Sequence, residues 1–200
     1  MDKIDLKKEL KSCYSSKKSV TFIEVPAIKY ISVHGSGNPG TSKEYTDAIE
    51  ALYGLAYTVK FLYKDEGKDF VVMPLEGHWY CENIEEFSLD NRDEWLWEMM
   101  IALPDFVTQD KLDLATENLK KKKNPISLDK VESITHQDGL SAQFLYIGAY
   151  ADEAPFIKEM HDLIKEKGYK PRGKHREIYL SDPRRVAPEK LKTIIRQPVC

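Results

Sequence analysis

Lys174-His175-Arg176-Glu177-Ile178-Tyr179-Leu180-Ser181-Asp182-Pro183-Arg184-Arg185 is the stretch from which the rest of the chain is best read. Its first half alternates as a strand does, with Ile178 and Leu180 on one face and His175, Glu177 and Tyr179 on the other. The aliphatic face is expected to pack on helices. An acid beside a tyrosine on the opposite face suits a ligand cleft better than a solvated surface.

The pattern repeats upstream. In Ser141–Tyr150, Leu145, Ile147 and Ala149 share one face, while Phe144, Tyr146, Gly148 and Tyr150 share the other. In Trp95–Leu103, Trp97 lies on one face with Trp95, Met99, Ile101 and Leu103. Trp79 follows Gly77, which is read as a bulge that re-aims the strand. If the aliphatic faces meet the helices, the aromatic faces line a bowl of tryptophans and tyrosines around one carboxylate, Glu177.

Around these strands the chain alternates regularly. Val20–Val33 is β-branched and aromatic, and Pro26 suggests a bulge or break within it. Residues 34–40 form a Gly-rich loop without the Lys-Ser/Thr ending of a phosphate loop. Thr41-Ser42-Lys43-Glu44 has capping-box spacing, and the apolar residues from Tyr45 to Tyr63 recur every three or four positions, which predicts a long amphipathic helix ending before Gly67. Phe70–Leu75 reads as a strand, and a long acidic connection from Tyr80 to Glu94 follows; composition does not decide whether it acts as a lid. Thr108 caps a second helix that Asn124-Pro125 ends, Pro155–Lys167 is a third, and His175–Leu180 and Leu191–Arg196 close the chain as strands.

The order is strand, helix, strand, strand, twice over. The fold class is α+β: tandem β-α-β-β units, about residues 19–123 and 126–197, form one pseudo-two-fold domain with a central aromatic cleft, preceded by a short helical or frayed arm at 1–18.

Bulk properties narrow the function. The 200 residues are 32% charged and 42% hydrophobic with a net charge of −3, so no global basic field favours direct nucleic-acid binding. No apolar run approaches the roughly 18 residues of a membrane span, and the lysine-rich N-terminus has no apolar signal core. Cys13, Cys81 and Cys200 lack metal spacing and leave one unpaired in any disulfide scheme, which points to a reducing cytoplasm. His34, His78, His136, His161 and His175 are far apart with no pair at ligand spacing, so neither a metal nor a cofactor is expected. The basic runs at 120–123 and 184–196 read as a complemented helix end and solvated surface. A homodimer is left open, because an aromatic cleft and a dimer surface look alike in composition.

The chemistry of the bowl has two uses. Aromatic walls with one acid hold flat, often cationic ligands. A buried carboxylate can instead act as a general base on water while a tyrosine hydroxyl polarises an electrophile. On that reading Glu177 and Tyr150 are the catalytic candidates, and Trp79, Trp97, Tyr146 and Tyr179 are lining candidates. His78 joins them as Trp79's neighbour, and Tyr57 from the edge of the long helix's apolar arc, where core packing is the alternative.

Five segments resemble the GyrI-like small-molecule-binding proteins, in particular their stand-alone branch: Leu52-Tyr53-Gly54-Leu55-Ala56-Tyr57, Pro74-Leu75-Glu76-Gly77-His78-Trp79, Pro104-Asp105-Phe106-Val107-Thr108, Ile147-Gly148-Ala149-Tyr150 with Asp152-Glu153, and the 175–185 stretch, which is the most specific. The resemblance implies a duplicated β-α-β-β unit and relatives that bind drugs in transcription activators or inhibit gyrase. Stand-alone members resemble hydrolases that open the cyclopropane of DNA-alkylating natural products, with Glu177 at the acid's position and Trp79, Trp97 and Tyr150 at the aromatics. The resemblance thus leaves three functions: a cofactor-independent hydrolase, a non-catalytic binder or sensor of hydrophobic or cationic compounds, and a gyrase-antagonist-like interaction module.

Overall fold

The computed structural model describes residues 3–80 and 94–200. In chain order the elements are helices α1 (Leu6–Glu9) and α2 (Lys11–Tyr14), strand β1 (Thr21–Ser36), α3 (Lys43–Asp65), β2 (Leu75–Tyr80), β3 (Leu96–Leu103), α4 (Gln109–Lys122), β4 (Glu132–Ile147), α5 (Ala154–Glu166), β5 (His175–Tyr179) and β6 (Lys192–Pro198). The sequence β1-α3-β2-β3 therefore recurs as β4-α5-β5-β6, with α4 as an addition after the first unit.

The described strands close a barrel in the order β1-β3-β2-β5-β6-β4. Every pairing is antiparallel, and the units join where equivalent strands meet, β1 with β4 and β2 with β5. Those self-equivalent seams are what a two-fold relation requires. Pro26 does not break β1. Before Lys29 that strand has only β4 beside it, so the missing N–H faces no second neighbour.

Local chemistry sets the helices. The Ser42 side chain accepts from the Tyr45 N–H at the start of α3, and Thr108 accepts from Lys111 at the start of α4. The apolar arc of α3 buries Ala48, Leu52, Leu55, Ala56 and Val59 over β1 and β3, while Met160 and Ile164 of α5 pack on Phe144, Tyr146 and Ile195. Each fully buried Leu or Val contributes about 1.5–3 kcal/mol.

Several expectations change here. The strand after α3 is Leu75–Tyr80; the expected Phe70–Leu75 strand reduces to a single bridge between Phe70 and Ile4. Gly77 is not a bulge, because β2 pairs in unbroken register with β3 and β5. The faces are also exchanged. Phe144 and Tyr146 pack under α5, and Tyr45 of α3 stands over Trp97, so the aromatic face is the helix-covered one. Ile178 shares its face with Arg176, which turns into the barrel. Alternation fixes which residues share a face but not which face meets a helix. The 81–93 part of the acidic connection and Cys81 lie outside the described residues.

The lumen is polar. Arg176 donates to Tyr30, Glu76 and His78 at 2.8, 2.8 and 3.0 Å, and its Nε lies 3.1 Å from Asp138. Arg196 bonds Gln143, and Glu98 accepts from His78 and Lys174, both at 3.0 Å. All six described strands contribute to this network. The N-terminal arm closes one end: Tyr14 donates to Glu76, and Arg196 and Gln143 donate to the carbonyls of Cys13 and Ser12. Of the two expectations for the arm, the structure has the short helical one, held by buried charge.

Candidate functional site

α3 covers β1 and β3, and α5 packs on β4, so the outer face of the β2–β5 seam runs between the two helices. In the register of that seam, Glu177 lies opposite Gly77 and His175 opposite Trp79. Trp97 lies opposite Trp79 on the next strand. These side chains, with Tyr179, face the same way.

Close packing is made possible by two glycines. The Trp97 ring lies over Gly35, where an added Cβ would stand 2.2 Å from the indole. At Gly77 a Cβ would come within 2.5 Å of Met99 and 3.1 Å of Trp79 Nε1. Tyr45, from the first turn of α3, meets Trp97 edge-on at 5.4 Å and Trp79 at 6.0 Å. Tyr150, in a short 3-10 turn before α5, meets Tyr179 edge-on at 5.7 Å.

Hydrogen bonds order the polar edge. Trp79 Nε1 donates to the Tyr179 hydroxyl at 2.9 Å, and Tyr45 and Glu177 act electrostatically on the same group. Burial, then the Glu177 charge, push the Tyr179 hydroxyl well above its ordinary pKa. Burial followed by Glu177 and Glu153 carry Tyr150 up to about 12. Both hydroxyls therefore hold their protons across neutral pH. Tyr179 is committed to its internal partners. The Tyr150 hydroxyl has no hydrogen bond among the described residues. Two buried nitrogens at the site, Trp97 Nε1 and His175 Nε2, also have no hydrogen-bond partner among the described residues.

The fold thus gathers Glu177, Tyr150, Trp79, Trp97 and Tyr179. It places the other sequence candidates elsewhere. His78 is turned into the lumen by strand alternation, and burial and Arg176 lower its pKa to about 4. Tyr146 packs on Phe156 and donates to the Ala149 carbonyl, so it supports the turn that carries Tyr150. Tyr57 is neither core nor pocket: it is 48% exposed and stacks on Phe61. Twelve residues separate it from Tyr45, about 18 Å along a helix. Tyr45 was missed by the sequence reading. Its signal was an aromatic three residues after a capping serine, at the mouth end of the helix.

The histidines are also closer than their spacing suggested. His78, His136 and Asp138 bring potential ligand atoms within 4.8 Å of one another. A metal does not fit that set, because Arg176 Nε already donates to His78 Nε2 and lies 3.1 Å from Asp138. A guanidinium supplied by the chain stands where the cation would.

The family model for GyrI-like small-molecule-binding domains matches residues 18–199. The chain belongs to the GyrI-like family. Three solved structures from Listeria innocua resemble it along its whole length. An uncharacterized conserved protein is 40% identical (TM-score 0.93), covering 99% of this chain and 100% of its own. A hydrolase is 38% identical (TM-score 0.90), covering 100% of both chains. Another hydrolase structure is 37% identical (TM-score 0.88), covering 99% and 100%. None of the curated proteins matches the chain. Among the described residues of this GyrI-like protein, no helix is long and apolar enough to cross a membrane.

Proposed function

We propose that the protein is a cofactor-independent hydrolase that adds water to flat, electrophilic, cyclopropane-bearing aromatic compounds. The observation that carries this reading is the buried Glu177 carboxylate, only 7% exposed, set among Trp79, Tyr179 and Tyr150. The full-length similarity to two structures of Listeria innocua hydrolases supports it. In the step, the oxygen of water bonds to the strained ring carbon while its proton passes to Glu177. The ring C–C bond breaks, and its electron pair moves through the conjugated system to a carbonyl oxygen. Tyr150, the uncommitted hydroxyl, donates to that oxygen, and Trp79 and Trp97 hold the plane of the substrate. No step requires a metal.

A second reading keeps the site and drops the chemistry. Glu177 and Glu153 both act on Tyr150 and Tyr179, and a second carboxylate favours binding of a cation. Wild type and Glu177→Gln, incubated with a cyclopropane-bearing aromatic alkylator, separate the two. Mass spectrometry showing a gain of one water, lost in the variant while tryptophan quenching persists, supports the hydrolase. Quenching with the compound intact in both makes the protein a binder.

A further inference from the structure

His175 stands two residues before Glu177 on β5, so both side chains leave the outer face, and its Nε2 lies 3.5 Å from Glu177 Oε1. That nitrogen is buried and has no hydrogen-bond partner among the described residues. A lone pair turned toward a carboxylate at this distance would be repulsive, so Nε2 carries the proton. The gap is about half an ångström longer than an ordinary N–H···O bond, and hydrogen bonds at reacting centres commonly lengthen when no substrate is present. His161 of α5 faces His175, and its own pKa is lowered by burial and then by His175. On the carboxylate side Tyr45, Tyr150 and Tyr179 bring hydroxyls, not cations.

We propose that His175 is the positioning residue of Glu177: its Nε2–H engages Oε1 when ligand fills the seam, leaving Oε2 to face the ligand. This deepens the proposed function and rests on Glu177 being the acting carboxylate, though not on turnover. As water gives its proton to Oε2, the Nε2–H bond to Oε1 stays in place, so His175 neither gains nor loses a proton. It lines no part of the aromatic wall and need not touch substrate.

The test compares wild type, His175→Ala and His175→Gln, with circular dichroism confirming that each folds. With the alkylator, His175→Ala is expected to lower kcat about tenfold or more with KM little changed, and His175→Gln, which keeps an N–H donor, to recover most of the loss. An unchanged kcat in His175→Ala, or equal loss in both variants, overturns the proposal.

If wild type adds no water, the hydrolase reading fails by itself. The positioning role is then read from binding at pH 8, using tetraphenylphosphonium and neutral triphenylphosphine oxide as probes. His175→Ala should weaken the cation several-fold, leave the neutral compound unaffected, and be rescued by His175→Gln. Cation affinity that is equal or tighter in His175→Ala overturns it.

Discussion

Arg176 and Glu177 are adjacent on β5 and live in opposite worlds. Arg176 points into the lumen, where Tyr30, Glu76 and His78 accept from it and Asp138 lies in ion-pair range. Glu177 points outward to the seam, among tyrosines whose pKa values it raises, beside nitrogens without partners. The lumen gathers Glu76, Glu98 and Asp138 against Arg176, Arg196 and the Lys174 ammonium at its edge. It is a charge-paired network, although Asp138 Oδ2 and Arg176 Nη2 have no hydrogen-bond partner among the described residues. The seam instead sets Glu177 against hydroxyls and aromatic rings. Within one wall of the barrel, the inward face pairs charge with charge and the outward face does not.

The largest break in this comparison should come from Arg176→Met. It strands Glu76 and Asp138 in the lumen, and removing one partner of a buried ion pair costs about 3–5 kcal/mol. Urea denaturation should show that loss or no folded protein at all, whereas Glu177→Gln should leave the urea midpoint nearly unchanged. Glu177→Gln has its own effect on the other side: on the hydrolase reading, turnover falls about 100-fold or more, the scale of a lost general base. Gly35→Ala comes next. Its Cβ would collide with the Trp97 ring, and such overpacking costs about 1–3 kcal/mol, visible as a lowered Tm and altered tryptophan emission.

Acid should separate the two faces more gently. His78 is held neutral in the fold, with a pKa near 4 against an ordinary 6.5, so the unfolded chain binds its proton first and stability falls as pH drops through that window. For Glu98, burial opposes ionisation, but hydrogen bonds from His78 and Lys174 outweigh it and bring the carboxyl to about 2. Its contribution, present above about 4.5, is lost as pH falls toward 2. Urea midpoints at pH 7, 5 and 3 should decline in that order, and His78→Gln should flatten the step between 7 and 5. The smallest effect belongs to Tyr57→Ala, within about 0.5 kcal/mol in stability and with no change in ligand quenching.

The sequence made the outer face legible in content. Glu177, Tyr179, Trp79, Trp97 and Tyr150 were chosen by alternation and motif, and the barrel brings them together. It did not reveal the orientation of that face. Period-two patterning is blind to which side a helix will cover, and the aliphatic Ile178 shares its face with the inward-turned Arg176. His78 shows the cost: adjacency to Trp79 in the chain means opposite faces in a strand. The lumen itself had a signal that was not used. Glu76, His78, Glu98, Arg176 and Arg196 each interrupt otherwise apolar strands, and charges at core positions are retained only where other charges meet them.

The plug formed by the N-terminal arm carries a consequence for synthesis. Cys13 and Arg196 are 183 positions apart, yet one accepts from the other across the barrel end. While β2, β3 and β4 emerge from the ribosome, Glu76 and Asp138 have no guanidinium to meet, because Arg176 and Arg196 lie on β5 and β6. A nascent chain lacking them leaves those carboxylates unpaired, so closure of the barrel is expected to wait for β5 and β6. The arm, which precedes every described strand in the chain, is among the last segments to be secured.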